Sequence, residues 1–537
     1  MQANNWLRHS VVYQIYPRSF KDTNGDGVGD LQGIINKLDY LNDGTRNSLG
    51  IDAIWISPFY PSPMADFGYD ISDYCNVDPL FGDLAAFDRL VAEAHRRGIK
   101  VIIDYVPNHT SDQHPWFKES KSSRHNAKRV WYIWRDAKPD GSLPNNWGSV
   151  LGGPAWTWDE RTGQYYLHQF LEGQPELNWR NPEVRKALLD VLHFWLKRGV
   201  DGFRMDVIAF LLKDPDLRDN PPNLAADPNL HPNDIYYRQL HRYEDLDEMS
   251  EVIREIRHVL DQYEARIGIG EVWYELDRWV RYFGVNNDGL HMPFNFKLMQ
   301  RPWSASSIRE TVESLEEALP QFGWPNYVLG NHDYARLASR IGPAQARLAA
   351  MLLLTLRGTP TLYYGDELGM ENGNIPADKV QDPQGILLGA ERTRDVARTP
   401  MQWDASPHAG FSDVEPWLPI SADYQIRNVV EQSNDPTSTL NLYRKLLWFR
   451  RQTPALHIGS TRWLLESNED CFCYIRSHAR KEFLVALNLS DIAQRIVLDS
   501  LKRGNIVISS HLDRDGEIDT PELSLRPNEG LLIELTY

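Results

Sequence analysis

Four short stretches place acids, arginine and histidine just after apolar runs. They are Asp104, Asn108 and His109 in DYVPNH, Arg204 and Asp206 in GFRMD, Glu271 in GEVW, and Asn331, His332 and Asp333 in GNHD. Several carboxylates gathered in this way suit glycoside hydrolysis, in which one acid stays ionised at the anomeric carbon and another keeps a proton for the leaving oxygen. Asp206 has Arg204 two residues away, a neighbour that keeps an acid charged. Glu271 lies between RIGIG and Val272-Trp273, apolar flanks that favour a retained proton. The chain shows no Ser/His/Asp elbow, Walker loop or zinc-ligand spacing, and GIGEVW lacks the spacing of a dinucleotide fingerprint.

A fifth stretch has the makings of a cation site. DTNGDGVGD (22–30) places oxygen ligands at Asp22, Asn24, Asp26 and Asp30, the Val28 carbonyl among them, and Gly27 at a sharp turn. An EF-hand would need a bidentate Glu at the twelfth position, and that residue is Gly33.

The elements that would carry these residues alternate. Strands are expected within 11–20, 51–59, 100–109, 202–207, 266–273, 290–296, 326–333 and 359–368. Helical spacing puts Leu31, Ile34, Ile35, Leu38 and Leu41 on one face, and LAAFDRLVAEAHRRG and the segment opened by Asn181-Pro182 read as further helices. Eight strand–helix units predict a closed parallel (β/α)8 barrel, with an open doubly wound sheet as the competing layout. Function in such a barrel sits at the C-terminal strand ends, where the four acidic stretches fall. Residues 105–175 interrupt the alternation after the third strand and a Pro-rich stretch at 213–235 follows the fourth. Beyond 456, strands without helices predict an antiparallel β domain. The expected organisation is therefore barrel over 1–104, insertion over 105–175, barrel over 176–455 and C-terminal β domain over 456–537.

Bulk properties narrow the function. The 537 residues carry a formal net charge of −17, which disfavours nucleic acid as a partner. The N-terminus has no apolar signal core and no segment is apolar enough to span a membrane, so a soluble, cytoplasmic protein is expected. Three cysteines make no disulfide framework, and Cys471 and Cys473 alternate on an expected strand as packed thiols.

In order, DYVPNH, GFRMD, GEVW and GNHD match the four signature segments of glycoside hydrolase family 13, the α-amylase family. QPELN (174–178) resembles a fifth, usually QPDLN in the α-glucosidase/oligo-1,6-glucosidase branch, and VVYQIYPRSF, ADFGYDISDY and ARTPMQWD extend the likeness over about residues 8–455. The resemblance implies a retaining, exo-acting α-glucosidase that releases glucose from the non-reducing end through a covalent β-glucosyl intermediate. Asp206 would be nucleophile, Glu271 general acid/base and Asp333 transition-state stabiliser. His109 and His332 would bind hydroxyls, Arg204 would fix the nucleophile, and Asp66, Tyr69 and Arg398 would close around the glucose. Most of the 18 tryptophans are expected in core or rim packing, and Trp131, Trp147 and Trp156, in the insertion, could approach a substrate without any one of them being singled out.

The resemblance also implies one structural Ca2+ on Asp22, Asn24, Asp26, the Val28 carbonyl and Asp30, and no organic cofactor. Three carboxylates crowded in one loop would repel one another without a cation. Maltose, isomaltose or sucrose are the kind of small α-glucoside expected as partner. A transglucosylase, or a sucrose or trehalose isomerase, would use the same three acids. Val207, after the nucleophile, tilts the expectation towards α-1,6 bonds, a preference worth about 1–3 kcal/mol.

Overall fold

In the computed structural model, which describes residues 6–464, 469–498, 503–518 and 522–536, eight parallel strands form the central sheet. They are β1 (Val12–Ile15), β2 (Ala53–Ile56), β3 (Lys100–Tyr105), β4 (Gly202–Met205), β5 (Ile267–Gly270), β6 (Met292–Pro293), β7 (Asn326–Val328) and β8 (Thr359–Tyr363). The ladder runs β7-β8-β1-β2-β3-β4-β5-β6, a barrel closed except at the β6–β7 seam among the described residues. β6 is two residues long and ends in Pro293, which has no N–H to offer a ladder. Near-continuous apolar runs such as AIWI, all buried, are what a sheet covered on both faces requires.

Helices between the strands follow their sequence signals. Asp83 caps the helix Leu84–Arg96 by accepting from the Ala86 N–H, and Asn181 caps Pro182–Lys197 through the Glu183 N–H, with proline in the first turn. The first expected helix divides at Lys37 into Leu31–Asn36 and Leu38–Leu41. Lys37 leaves helical geometry at φ −109°, ψ 5°, and Ile35 is only half-buried while Leu31, Ile34, Leu38 and Leu41 are fully buried.

The interruption after β3 forms its own small unit, with a helix Pro115–Ser122 and a three-stranded antiparallel sheet of Trp134–Arg135, Gln164–Leu167 and Trp156–Asp159. The Pro-rich stretch after β4 packs onto this unit. Asn145 Nδ2 donates to the Leu217 carbonyl, the Trp147 indole N–H donates to Arg218, and Leu217 and Tyr243 share a core with Trp147 and Trp156. Trp131, Trp147 and Trp156 are all buried in this packing, and none lines the main cavity described below. Indole rings of that size fill the core of a small unit first.

The last part is a six-stranded antiparallel sheet with a separate two-stranded ladder, Gln494–Val497 with Glu522–Leu525. Along Cys471–His478, Phe472 and Tyr474 face the barrel core, whereas Cys471, Cys473 and Ile475 face the outer core, the two-residue period of a strand. All three cysteines are free thiols. The helix Pro343–Thr355, buried on every side from Leu348 to Thr355, lies between barrel and sheet, and each buried leucine there stabilises the join by about 1.5–3 kcal/mol. No described helix is long and apolar enough to cross a membrane.

Candidate active site

The in-register pairing of β3, β4 and β5 brings the acidic strand ends together. Asp104 is the register partner of Arg204, and Met205 that of Gly270. The ladder then continues past the strands, with the Asp206 N–H donating to Tyr105 and the Glu271 N–H donating to Met205, each at 2.9 Å. At Gly270, before Glu271, a Cβ would come within 2.2 Å of Leu290 Cδ1, so a larger residue there would have to displace the Leu290 side chain. Side chains of strand ends held in register must share one rim, and they do.

Arg204 is the hub of that rim. Its Nη1 donates to Asp104 at 2.6 Å and to Asp206 at 2.7 Å, and its Nη2 donates to Glu271 at 2.6 Å. Glu271 also accepts from the Val207 N–H at 3.1 Å and the Trp273 indole N–H at 2.8 Å. Its neighbours are therefore a cation and two N–H donors, and the apolar flanks in the sequence do not describe its surroundings. Val207 has φ 35°, a left-handed conformation that is strained for a β-branched residue, and that conformation accompanies its N–H bond to Glu271. Three acids on one guanidinium leave the cluster short of positive charge. Burial, reinforced by Glu271 and Asp104 and opposed by Arg204, pushes the Asp206 carboxyl well up, and burial lifts Asp104 to about 6 against the same arginine.

A second guanidinium repeats the arrangement on the other side. Arg394 contacts Asp66 and Asp333 at 3.1 Å and Asp382 at 2.7 Å. Burial alone would raise Asp333, but His332 with Arg394, Arg398 and Arg204 overcomes it and holds the carboxyl well below the usual range. His332 is sandwiched between Tyr69, at 5.4 Å and 2° between planes, and Tyr16 at 5.7 Å. Burial pushes both His332 and His109 down to about 3, so both rings are neutral near pH 7.

These groups face one cavity of about 490 Å3. Asp206, Glu271, Asp333, Asp66, Tyr69, His109 and His332 line it, and Arg204 lies behind them, 1% exposed. Arg398 does not reach the cavity. It is 2% exposed, donating to the His332 carbonyl at 2.8 Å and to Asp333 from behind, while Arg394 occupies the place expected for it. In ERTRDVARTPMQWD the two arginines sit four apart, and Arg394–Ala397 forms a single 3-10 turn after which the chain direction sends them to different depths. Gln174, which donates to Asp66 at 3.0 Å, and Gln14, whose side-chain amide lies 2.9 Å from His332 Nδ1, also belong to the site. Gln174 falls inside QPELN, a signal that was present; Gln14 is one polar residue in an apolar strand and carries none.

The loop 22–30 satisfies its own carboxylates. Asp22 accepts from the N–H groups of Asn24, Gly25 and Gly27 and from the Ser412 hydroxyl; Asp26 accepts from Val28 and from the Asn24 amide; Asp30 accepts from Thr23 and Gly33 and caps the next helix. Crowded, mutually repelling acids are thus not what the fold builds here. Among the described residues, the group of three that brings ligand atoms within 4.8 Å of one another is instead His511, Asp513 and Glu529, where Arg526 contacts both acids.

A model of the α-amylase catalytic domain matches residues 14–459. The chain belongs to the α-amylase family. Within this family it is 45% identical to a probable α-glucosidase of Rhizobium meliloti, over 91% of this chain and 90% of that one. It is 38% identical to an oligo-1,6-glucosidase of Parageobacillus thermoglucosidasius over 99% of both. Among solved structures, the α-glucosyl transfer enzyme XgtA superposes with a TM-score of 0.92 at 43% identity, over 99% of each chain. The trehalulose synthase MutB does so with 0.89 at 36%, over 99% of this chain and 100% of that one. The α-amylase family member described here sits in the α-glucosidase branch, and it is a glycoside hydrolase with an inserted unit after β3 and a C-terminal β domain.

Proposed function

We propose that the protein is a retaining, exo-acting α-glucosidase in which Asp206 attacks the anomeric carbon, Glu271 serves as general acid and then base, and Asp333 steadies the transition state. The observation that carries the reading is the single Arg204 guanidinium that holds Asp206 and Glu271 at one end of the cavity. Two carboxyls bridged by one guanidinium stay as close as a double-displacement reaction needs. Three acids share one base, so the cluster retains a proton; burial, Glu271 and Asp104 raise Asp206 against Arg204 in the free site, and attack requires that proton to pass to Glu271, from which it reaches the leaving oxygen. Asp333, ionised between Arg394 and Arg398, is placed to bind sugar hydroxyls more tightly as the ring gains positive charge. The Asp66–Arg394 ion pair shuts the glucose end, which suits removal of one terminal residue.

Small α-glucosides are the substrate class, as the names of the oligo-1,6-glucosidase relatives indicate. Proton NMR of a fresh aryl α-glucoside digest tests the mechanism: α-glucose must appear first, and initial β-glucose would overturn it. A transglucosylating variant of the same chemistry is favoured by the aromatic walls of the cavity, including Phe170, Phe210 and Tyr274, and by the likeness to an α-glucosyl transfer enzyme. Product analysis at high sugar concentration separates the two outcomes.

We also assign a structural Ca2+ to the 22–30 loop. Its donors are hard oxygens, the ligand type the ion takes, and because Asp22 already accepts from Asn24, Gly25, Gly27 and Ser412, binding would exchange some of those hydrogen bonds for the ion. Asp22, Asn24, Asp26, Asp30 and the Val28 carbonyl would hold it, and it would brace a turn the loop already forms. The three free thiols fit a cytoplasmic location.

A further inference from the structure

One carboxyl in the cavity plays no part in the scheme above. Glu244 arrives on the segment that follows the Pro-rich insertion, with its side chain 9% exposed and facing the same cavity as Glu271. The Tyr236 hydroxyl donates to its Oε1 at 2.5 Å and the Tyr274 hydroxyl donates to its Oε2 at 3.0 Å. His241 Nδ1 stands 3.4 Å from Oε1. Every other acid of the site is gripped by an arginine: Asp104, Asp206 and Glu271 by Arg204, and Asp66, Asp333 and Asp382 by Arg394. Among the described residues no Arg or Lys reaches Glu244 within ion-pair distance. Burying a carboxyl among neutral donors is costly unless something else completes its hydrogen bonding.

We propose that Glu244 is the specificity-determining residue for the leaving group, accepting hydrogen bonds from hydroxyls of a polyhydroxylated aglycone such as a second hexose. The inference rests on the α-glucosidase reading and deepens it. Three relationships carry it. Glu244 shares no hydrogen bond with Asp66, Tyr69, His332 or Arg394, which enclose the glucose end. Tyr274 is three residues beyond Glu271, the acid that protonates the leaving oxygen, so the Tyr274–Glu244 bond puts the carboxyl on that side of the scissile bond. The two tyrosines each use one oxygen, which leaves a lone pair on both oxygens for adjacent sugar hydroxyls. A hydroxyl-free aryl aglycone would find only aromatic walls there and gain nothing from the carboxyl.

The test compares two substrates on three proteins. The unaltered enzyme, Glu244→Gln and Glu244→Asp are each assayed with isomaltose and with phenyl α-glucoside. For Glu244→Gln, assayed at about pH 8 because burial raises Glu244 to about 7, kcat/KM for isomaltose is expected to fall about tenfold to a hundredfold, the scale of a charge-assisted hydrogen bond, with phenyl α-glucoside changed less than about threefold. Glu244→Asp keeps the charge but withdraws it from reach, so the same selective loss is expected, and it carries the test should the amide variant fail to fold. An equal loss on both substrates would show that Glu244 only ties Tyr236 to Tyr274, and no loss on either would also overturn the proposal. If the unaltered enzyme turned over neither substrate, the glucosidase reading itself would fall, a result distinct from any change in the ratio.

Discussion

Gln14, in the middle of β1, holds its side-chain amide 2.9 Å from Nδ1 of His332, whose Nε2 stands 3.3 Å from Asp333 and 2.8 Å from the Tyr69 hydroxyl. A buried strand amide thereby fixes the orientation of a loop imidazole at the cavity wall. Gln14→Leu keeps the volume and removes the amide. It should lower kcat/KM for an aryl α-glucoside by about 2- to 10-fold, the scale of one net hydrogen bond. An unchanged melting temperature alongside the loss separates orientation from stability.

The two working acids should respond more severely. Asp206→Asn and Glu271→Gln are each expected to lower kcat by about a thousandfold or more, with circular dichroism unaltered. Near-normal turnover by either would remove it from the mechanism.

Arg394 and Arg398 give a contrast that the sequence spacing hides. Arg394→Ala opens the glucose end by releasing Asp66 while Asp333 keeps only Arg398, so KM should rise at least about tenfold. Arg398→Ala removes a buried donor to the His332 carbonyl and one of the two arginines on Asp333, so it should cost stability, about 2 kcal/mol or more by urea denaturation, together with a loss of kcat that Arg394 only partly offsets.

Lys213 and Glu176 form an ion pair at 2.7 Å with side chains 3% and 0% exposed. Lys213 also donates to Asn108, Gln169 and the Phe210 carbonyl, tying the β3 loop, the insertion and the β4 loop into one knot. Breaking a buried pair strands a charge, so Lys213→Met should cost about 3–5 kcal/mol, and the double variant with Glu176→Gln should recover part of it. Equal stability of the single and double variants in urea would mean that the pair is not coupled.

His168 is held neutral, donating from Nδ1 to the Phe170 carbonyl at 2.9 Å and with Thr157 at 2.9 Å from Nε2, and burial pushes it down to about 4. The unfolded chain binds this proton below pH 6.5, while the fold refuses it until about pH 4, so stability falls as pH drops through that window. Relative to His168→Gln, the unaltered protein should lose about 2 kcal/mol between pH 7 and pH 5. Urea titrations of both proteins at pH 7, 6 and 5 measure the difference, and parallel curves would contradict it.

For the loop 22–30, removal of calcium by a chelator should lower the melting temperature of the native protein and not of Asp26→Ala. Because the loop already satisfies its carboxylates, the expected effect is a few degrees, on the order of 1 kcal/mol, with the fold retained.

The sequence by itself determined the barrel, the inserted unit and the acids at the strand ends. Each is encoded locally: apolar runs of strand length, caps such as Asp83 and Asn181, and signature stretches in which the chemical residues are contiguous. Tertiary structure alone decided what those residues touch. It made Arg204 the common partner of Asp104, Asp206 and Glu271 through strand register, and it turned Arg394 rather than Arg398 to the cavity. It also sank Trp147 and Trp156 into a core and brought Glu244, Tyr236 and Tyr274 together from loops after two different strands. The physical reason is that hydrogen bonds and charge interactions act over a few ångströms in space, whatever the separation along the chain. Gln14 and His332 are 318 residues apart and 2.9 Å apart.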